Sequence, residues 1–194
     1  MKALIVSSYD KSIFPHLDSV RFFEYLINEV GMIKDDIVFY GRAEHEAGTK
    51  FSKVLQGITS ISRYEPLIIY YAGHGLPRGW DFKKNAMILY SFVFQILKKR
   101  NWPLIFINDC CFGMVVVHFL KKIKCQKMLL GLAPRDRNGY INKKGNTFLR
   151  KIFDRWQKRL PANPRVCIGK KKRKRVSLKW GDNLDYIMYS RKKK

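Results

Sequence analysis

PLIIYYAGHG at 66–75 and PLIFINDCCFG at 103–113 decide the fold class of this chain. Each begins with a proline followed by an unbroken apolar run rich in β-branched and aromatic residues, the pattern of a strand buried on both faces. Each run then stops in a short segment built from glycine with histidine, or from aspartate with cysteine. Strands buried on both faces belong to parallel sheets covered by helices, and ligands of such sheets bind beyond the carboxyl ends of the strands. The two interrupted ends are therefore candidates for one shared site.

Outward from these runs, strand and helix patterns alternate. KALIVS at 2–7 predicts a buried first strand, and Asp18 predicts a helix N-cap, followed at helical spacing by Val20, Phe23, Leu26, Ile27 and Val30 and closed by Gly31. IVFYG at 37–41 predicts the second strand, and GTKFSKVLQGITSI at 48–61 an amphipathic helix. NAMILYSFVFQILKKR at 85–100 predicts a helix with basic residues in its last turn, VVVHFLKKI at 115–123 another, and KMLLGLA at 127–133 a strand. TFLRKIFDRWQKRL at 147–160 predicts a further helix, with short strands at RVCIG, 165–169, and DYIMYS, 185–190. The expected class is α/β, a three-layer sandwich with a mostly parallel central sheet and helices on both faces. Residues 1–168 form the expected domain, and 169–194 a basic C-terminal segment that can complete it.

The bulk composition bounds the partners. Of 194 residues 46% are hydrophobic, enough for a substantial core. Four cysteines, two of them adjacent at Cys110 and Cys111, make neither a secreted disulfide framework nor a paired zinc pattern, so a reducing compartment is expected. MKALIVSSYD is too short in apolar residues for a signal-peptide core, and no run reaches membrane-spanning length. The expectation is an intracellular, cytoplasmic protein without a membrane partner, with nuclear import open through the basic run at 170–175. Residues 110–194 hold 25 Lys/Arg against 4 Asp/Glu, while residues 1–109 hold 14 against 11. Nucleic acid or an acidic partner at residues 169–194 is one consequence; a solvated basic face is the plainer one.

The chemistry of the two strand ends is more specific. A thiol attacks a carbonyl well only when a base takes its proton and N–H donors meet the resulting oxyanion. His74, bracketed by Gly73 and Gly75, supplies a base on a backbone that a substrate carbonyl can approach closely, and Cys111 supplies a thiol on the adjoining strand end. His16, His45 and His118 lie at no expected strand end beside a nucleophile. The residues alone leave open that His74 and Cys111 are structural, and that Asp109 merely caps the turn after its strand. No GxGxxG or GxxxxGK[ST] pattern supports nucleotide binding.

YAGHG followed by INDCCFG resembles the caspase and metacaspase superfamily and is closest to its metacaspase-like members; KALIVSSY, the Asp18-led helix, DDIVFY and LLGLAPRDRNGYINKKGNTFLRKIF resemble it in order and spacing. The resemblance covers about residues 1–160. It implies a cysteine endopeptidase with Cys111 as nucleophile, His74 as general base and later acid, and the amides of Gly75 and Cys111 as oxyanion hole. It further implies that Asp109 and Asp18 receive a basic P1 side chain, so the partner is a polypeptide cut after Arg or Lys. Ala72 departs from the serine frequent in metacaspases, and Cys111-Phe112-Gly113 is nearer the caspase spacing. A catalytically inactive, polyanion-binding member is the alternative, with the Cys–His pair vestigial.

No cofactor or metal is expected: LPRGWDFKKN at 76–85 carries only Asp81 where metacaspases hold an acidic calcium-binding stretch, and a hard cation needs several oxygen ligands. Peptide hydrolysis should be unchanged in a chelator titration; activity lost in chelator and restored by calcium would overturn this reading.

Overall fold

The computed structural model describes residues 1–8, 15–41, 51–60, 65–82, 86–125, 127–131, 167–168, 176–177 and 184–188. In chain order the elements are β1 (Lys2–Ser7), α1 (Pro15–Asn28), β2 (Ile37–Tyr40), α2 (Phe51–Ser60), β3 (Leu67–Ala72), β4 (His74–Leu76), β5 (Gly79–Phe82) and β6 (Ala86–Leu89). There follow α3 (Tyr90–Leu97), β7 (Leu104–Asp109), α4 (Val117–Leu120), β8 (Lys127–Gly131), β9 (Cys167–Ile168), β10 (Val176–Ser177) and β11 (Leu184–Met188).

The central sheet has the order β11-β8-β7-β3-β1-β2, and every pairing in it is parallel. Its two faces are filled by alternate residues of the same strands, as the two-residue period of a strand requires. Leu4, Val6, Leu67, Ile69, Tyr71, Leu104 and Phe106 share a core with Val54 and Ile58 of α2, Val93, Phe94 and Leu97 of α3, and Leu120 of α4. Ala3, Ile5, Ile68, Tyr70 and Ile107 share the other with Phe22, Phe23, Tyr25 and Leu26 of α1. The chain is thus an α/β protein with a parallel central sheet flanked by helices on both sides.

Several boundaries differ from the sequence reading. The segment 85–100 is not one helix: Ala86–Leu89 is a strand, paired antiparallel with β5, and only Tyr90–Leu97 is helical. A four-residue apolar run carries too little periodicity to separate strand from helix. Its pairing with β5 decides the matter, because β4, β5 and β6 make a small antiparallel sheet. Trp80, Phe82 and Ile88 bury one face of that sheet in the α2–α3 core. Asp18 is not the N-cap of α1; the helix starts at Pro15, whose missing N–H costs nothing in a first turn, and Asp18 sits buried inside that turn. Val30 lies beyond the end of α1 and is exposed. The predicted helix at 115–123 is a 3₁₀ turn over Gly113–Val116 followed by the single turn of α4. The predicted helix at 147–160 and the basic run at 170–175 lie outside the described residues.

Phe106 shows how tightly the main core is knit: fully buried, it packs on Trp80 at 5.8 Å and Phe94 at 5.1 Å between ring centroids. Phe106→Ala should destabilise the protein by about 3–5 kcal/mol, read in urea as a lowered midpoint at unchanged slope.

Candidate active site

Three strand ends meet at the carboxyl edge of the sheet. β1 ends beside β3 and β3 beside β7, with Ser7 opposite Ala72 and Ala72 opposite Asp109. The pairing runs one residue further, through Ser8 N–H to the Ala72 carbonyl at 2.9 Å and Gly73 N–H to the Asp109 carbonyl at 3.3 Å. Ser8, the Gly73–His74–Gly75 segment and the Asp109–Cys110–Cys111 segment are thereby neighbours.

The glycines around His74 are required by contact. Gly73 has φ +150°, and a Cβ there would lie 2.7 Å from the Ser8 Cβ and 2.9 Å from the Tyr71 hydroxyl. A Cβ on Gly75 would lie 2.9 Å from the Cys110 Cβ and would overlap the Cys111 carbonyl oxygen. The histidine segment therefore lies directly on the Cys110 side chain and the Cys111 backbone, with no room for a side chain between them.

The two thiols have opposite environments. Cys110 is 1% exposed, and its thiol donates to Asn108 Oδ1 at 3.3 Å, with the Tyr90 hydroxyl 3.8 Å from its sulfur. Asn108 also accepts from Trp80 Nε1 at 2.7 Å and donates to the Tyr90 hydroxyl at 3.1 Å and the Gly113 carbonyl at 3.0 Å. Burial pushes the Cys110 thiol well above its ordinary pKa, which makes it a poor nucleophile. Cys111 is half-exposed. It stands in a tight turn closed by Gly113 N–H to the Cys110 carbonyl at 3.2 Å, followed by Phe112 at φ +57°. A left-handed phenylalanine costs on the order of 1 kcal/mol or more, strain that the surrounding packing holds in place.

His74 is half-exposed and opens β4, opposite Asp81 of β5. Its N–H donates to Ser8 Oγ at 3.3 Å, and its carbonyl accepts from the Tyr71 hydroxyl at 2.6 Å.

The acidic residues meet on the other face. Asp109 and Asp18, 3% and 5% exposed, both act on Tyr70, whose hydroxyl donates to Asp109 Oδ2 at 3.1 Å. Burial, then the charges of Asp109 and Asp18 and the bond to Asp109, push the Tyr70 phenol well above its ordinary pKa, so it stays a donor. Phe22 of α1 stacks on Tyr70 at 4.4 Å and closes this corner. His16 lies in the first turn of α1 and His118 in α4, and His45 is outside the described residues. Sequence reasoning missed Ser8, Tyr71, Trp80, Tyr90 and Asn108. The one signal for Asn108 was a neutral polar residue inside an otherwise apolar strand; the tyrosines read as ordinary core.

No family model matches the chain, and no curated protein matches it.

Iodoacetamide at neutral pH should modify Cys111 and spare Cys110, as read by peptide mapping, because one thiol is reachable and the other is buried with a raised pKa. Equal labelling of both would remove the distinction.

Proposed function

We propose that this protein is a caspase-like cysteine endopeptidase cleaving after Arg or Lys, with Cys111 as nucleophile and His74 as base. The observation that supports this most is the close approach of Gly75 to the Cys110 side chain and the Cys111 carbonyl, which puts the histidine and cysteine segments side by side. A base and a nucleophile on abutting segments, with backbone amides beside them, are the parts acyl transfer needs.

In this reading His74 takes the Cys111 proton, and the sulfur attacks the scissile carbonyl carbon. The amides of Gly75 and Cys111 receive the oxyanion. The C–N bond breaks as the imidazolium returns its proton to the leaving amine, which leaves a thioester on Cys111. Water, deprotonated by His74, then attacks the thioester carbon and releases the carboxylate product and the thiol. Asp109 and Asp18, drawn together around Tyr70, supply negative charge for a basic P1 side chain, and a guanidinium fits a carboxylate through two parallel N–H bonds. Such a nucleophile suits an intracellular, reducing compartment, where a thiol is maintained. Among the described residues no helix is long and apolar enough to cross a membrane.

The second reading, a polyanion-binding protein with a vestigial pair, draws on the 25 Lys/Arg against 4 Asp/Glu after residue 109. It predicts salt-sensitive nucleic-acid binding that survives Cys111→Ala, with no hydrolysis in the wild type.

Cys111→Ala should abolish hydrolysis of Arg- and Lys-terminated fluorogenic peptides, while Cys110→Ala keeps most of it. His74→Ala should cost at least about 100-fold. Asp109→Ala should lose about 2–5 kcal/mol of preference for basic P1 residues while Cys111 is still alkylated by a small neutral reagent, and Asp18→Ala should do the same more weakly. Retention of the Arg/Lys preference in the Asp109 variant, or a wild-type preference for Asp, would overturn the specificity half of the proposal. A Cys111→Ala variant that still hydrolyses would overturn the whole.

A further inference from the structure

Both main-chain polar groups of His74 are held by hydroxyls. Its N–H donates to Ser8 Oγ at 3.3 Å. The phenol of Tyr71, which with Ser8 lies against Gly73, donates to the His74 carbonyl at 2.6 Å, with the Asp81 carbonyl a second acceptor at 3.3 Å. This clamp spans two strand ends and the β4–β5 pair, because Ser8 follows β1, Tyr71 belongs to β3, and His74 lies opposite Asp81.

Its members have little freedom to move. Tyr71 and Ser8 are buried, and the Tyr71 ring stacks on Trp80 at 4.6 Å with the planes 10° apart, and meets Phe82 edge-on at 5.8 Å. The bare Cα of Gly73 is what lets the two hydroxyls come together beneath the chain, since a Cβ there would clash with both Ser8 and the Tyr71 hydroxyl. Burial, followed by the neighbouring Cys110, pushes the Tyr71 phenol well above its ordinary pKa, which keeps its proton on through the range where a thiol peptidase works. The Cys111 thiol also lies within electrostatic range of that hydroxyl.

We propose that Tyr71 and Ser8 are positioning residues for His74: they clamp both of its main-chain polar groups, so that its imidazole projects from a fixed point beside Cys111. The inference rests on the peptidase reading and adds two residues to it that never touch substrate. The gain is geometric, since a general base displaced by about 1 Å from its partner can lose on the order of 100-fold in rate. Removing one hydroxyl loosens the clamp without dismantling it, so the loss should be smaller.

The experiment compares wild type, Y71F, S8A, the double variant and C111A, each checked for folding by circular dichroism. It measures kcat and KM on an arginyl fluorogenic peptide and the pH dependence of Cys111 alkylation by iodoacetamide. Y71F should lower kcat about 10-fold with KM changed less than about 2-fold, and should slow the alkylation of Cys111. S8A should do likewise, and the double variant should be little worse than the poorer single one, because residues in one network do not act additively. Folded Y71F and S8A proteins with wild-type kcat and alkylation profile would overturn the inference alone, as would losses confined to KM. If Y71F fails to fold, S8A decides, since it removes only a hydroxyl beyond the end of β1. Wild-type protein that neither hydrolyses the peptide nor alkylates at Cys111 faster than a simple thiol would sink the peptidase reading and this inference with it.

Discussion

The parallel pairing of β3 with β7, with Ala72 opposite Asp109, is the constraint on which the rest of the structure depends. The side-chain period of a strand is two, so a slip of one residue would exchange the faces of a whole strand and drive Tyr70 and Tyr71 each into the wrong core. In the observed register both strands end together, and the segments that follow them emerge side by side. The bond from Gly73 N–H to the Asp109 carbonyl continues that register into the candidate site. His74 and Cys111, 37 positions apart in the chain, share an edge for this reason.

The same alternation divides the chemistry between two faces. Tyr71, Asn108 and Cys110 point toward the α2–α3 side, where Trp80 and Tyr90 complete a polar network inside an aromatic core. Tyr70 and Asp109 point toward α1, which brings Asp18 to the same corner. Adjacent residues in the chain therefore do unlike things: Tyr70 serves the carboxylates, while Tyr71 serves the histidine. Adjacent cysteines differ by the same logic, because Cys110 still belongs to the strand pattern and is buried, whereas Cys111 has left it.

Burying so many polar groups is tolerable only because they satisfy one another. Asn108 is the hub on one face: its carbonyl oxygen accepts from Trp80 and Cys110, and its amide donates to Tyr90 and Gly113. The Gly113 contact ties this network to the turn carrying Cys111 and helps to hold Phe112 in its left-handed conformation. Packing in the core and geometry at the sheet edge are thus one problem. A change at Trp80 or Tyr90 would be felt in the cysteine turn through Asn108.

Apolar strand runs, those at 66–75 and 103–113 among them, alternating with helical patterns called for a parallel sheet, and β1, β2, β3, β7 and β8 lie within a residue or two of where apolar runs place them. Strands buried on both faces leave an unmistakable apolar trace. The clustering of His74, Gly75 and Cys111 at one edge was also legible, because chain order and parallel pairing together dictate which ends adjoin. Other features belong to the tertiary structure alone. Ala86–Leu89 became a strand because Gly79–Phe82 was there to pair with it, and α1 began at Pro15 so that Asp18 was buried inside the first turn rather than capping it. Ser8 and Tyr71 looked like a loop serine and a core aromatic, since their bonds to His74 depend on which hydroxyls reach it across strands. Periodicity records which face a residue occupies; it says nothing of which atom stands opposite, and that is set only when the strands come into register.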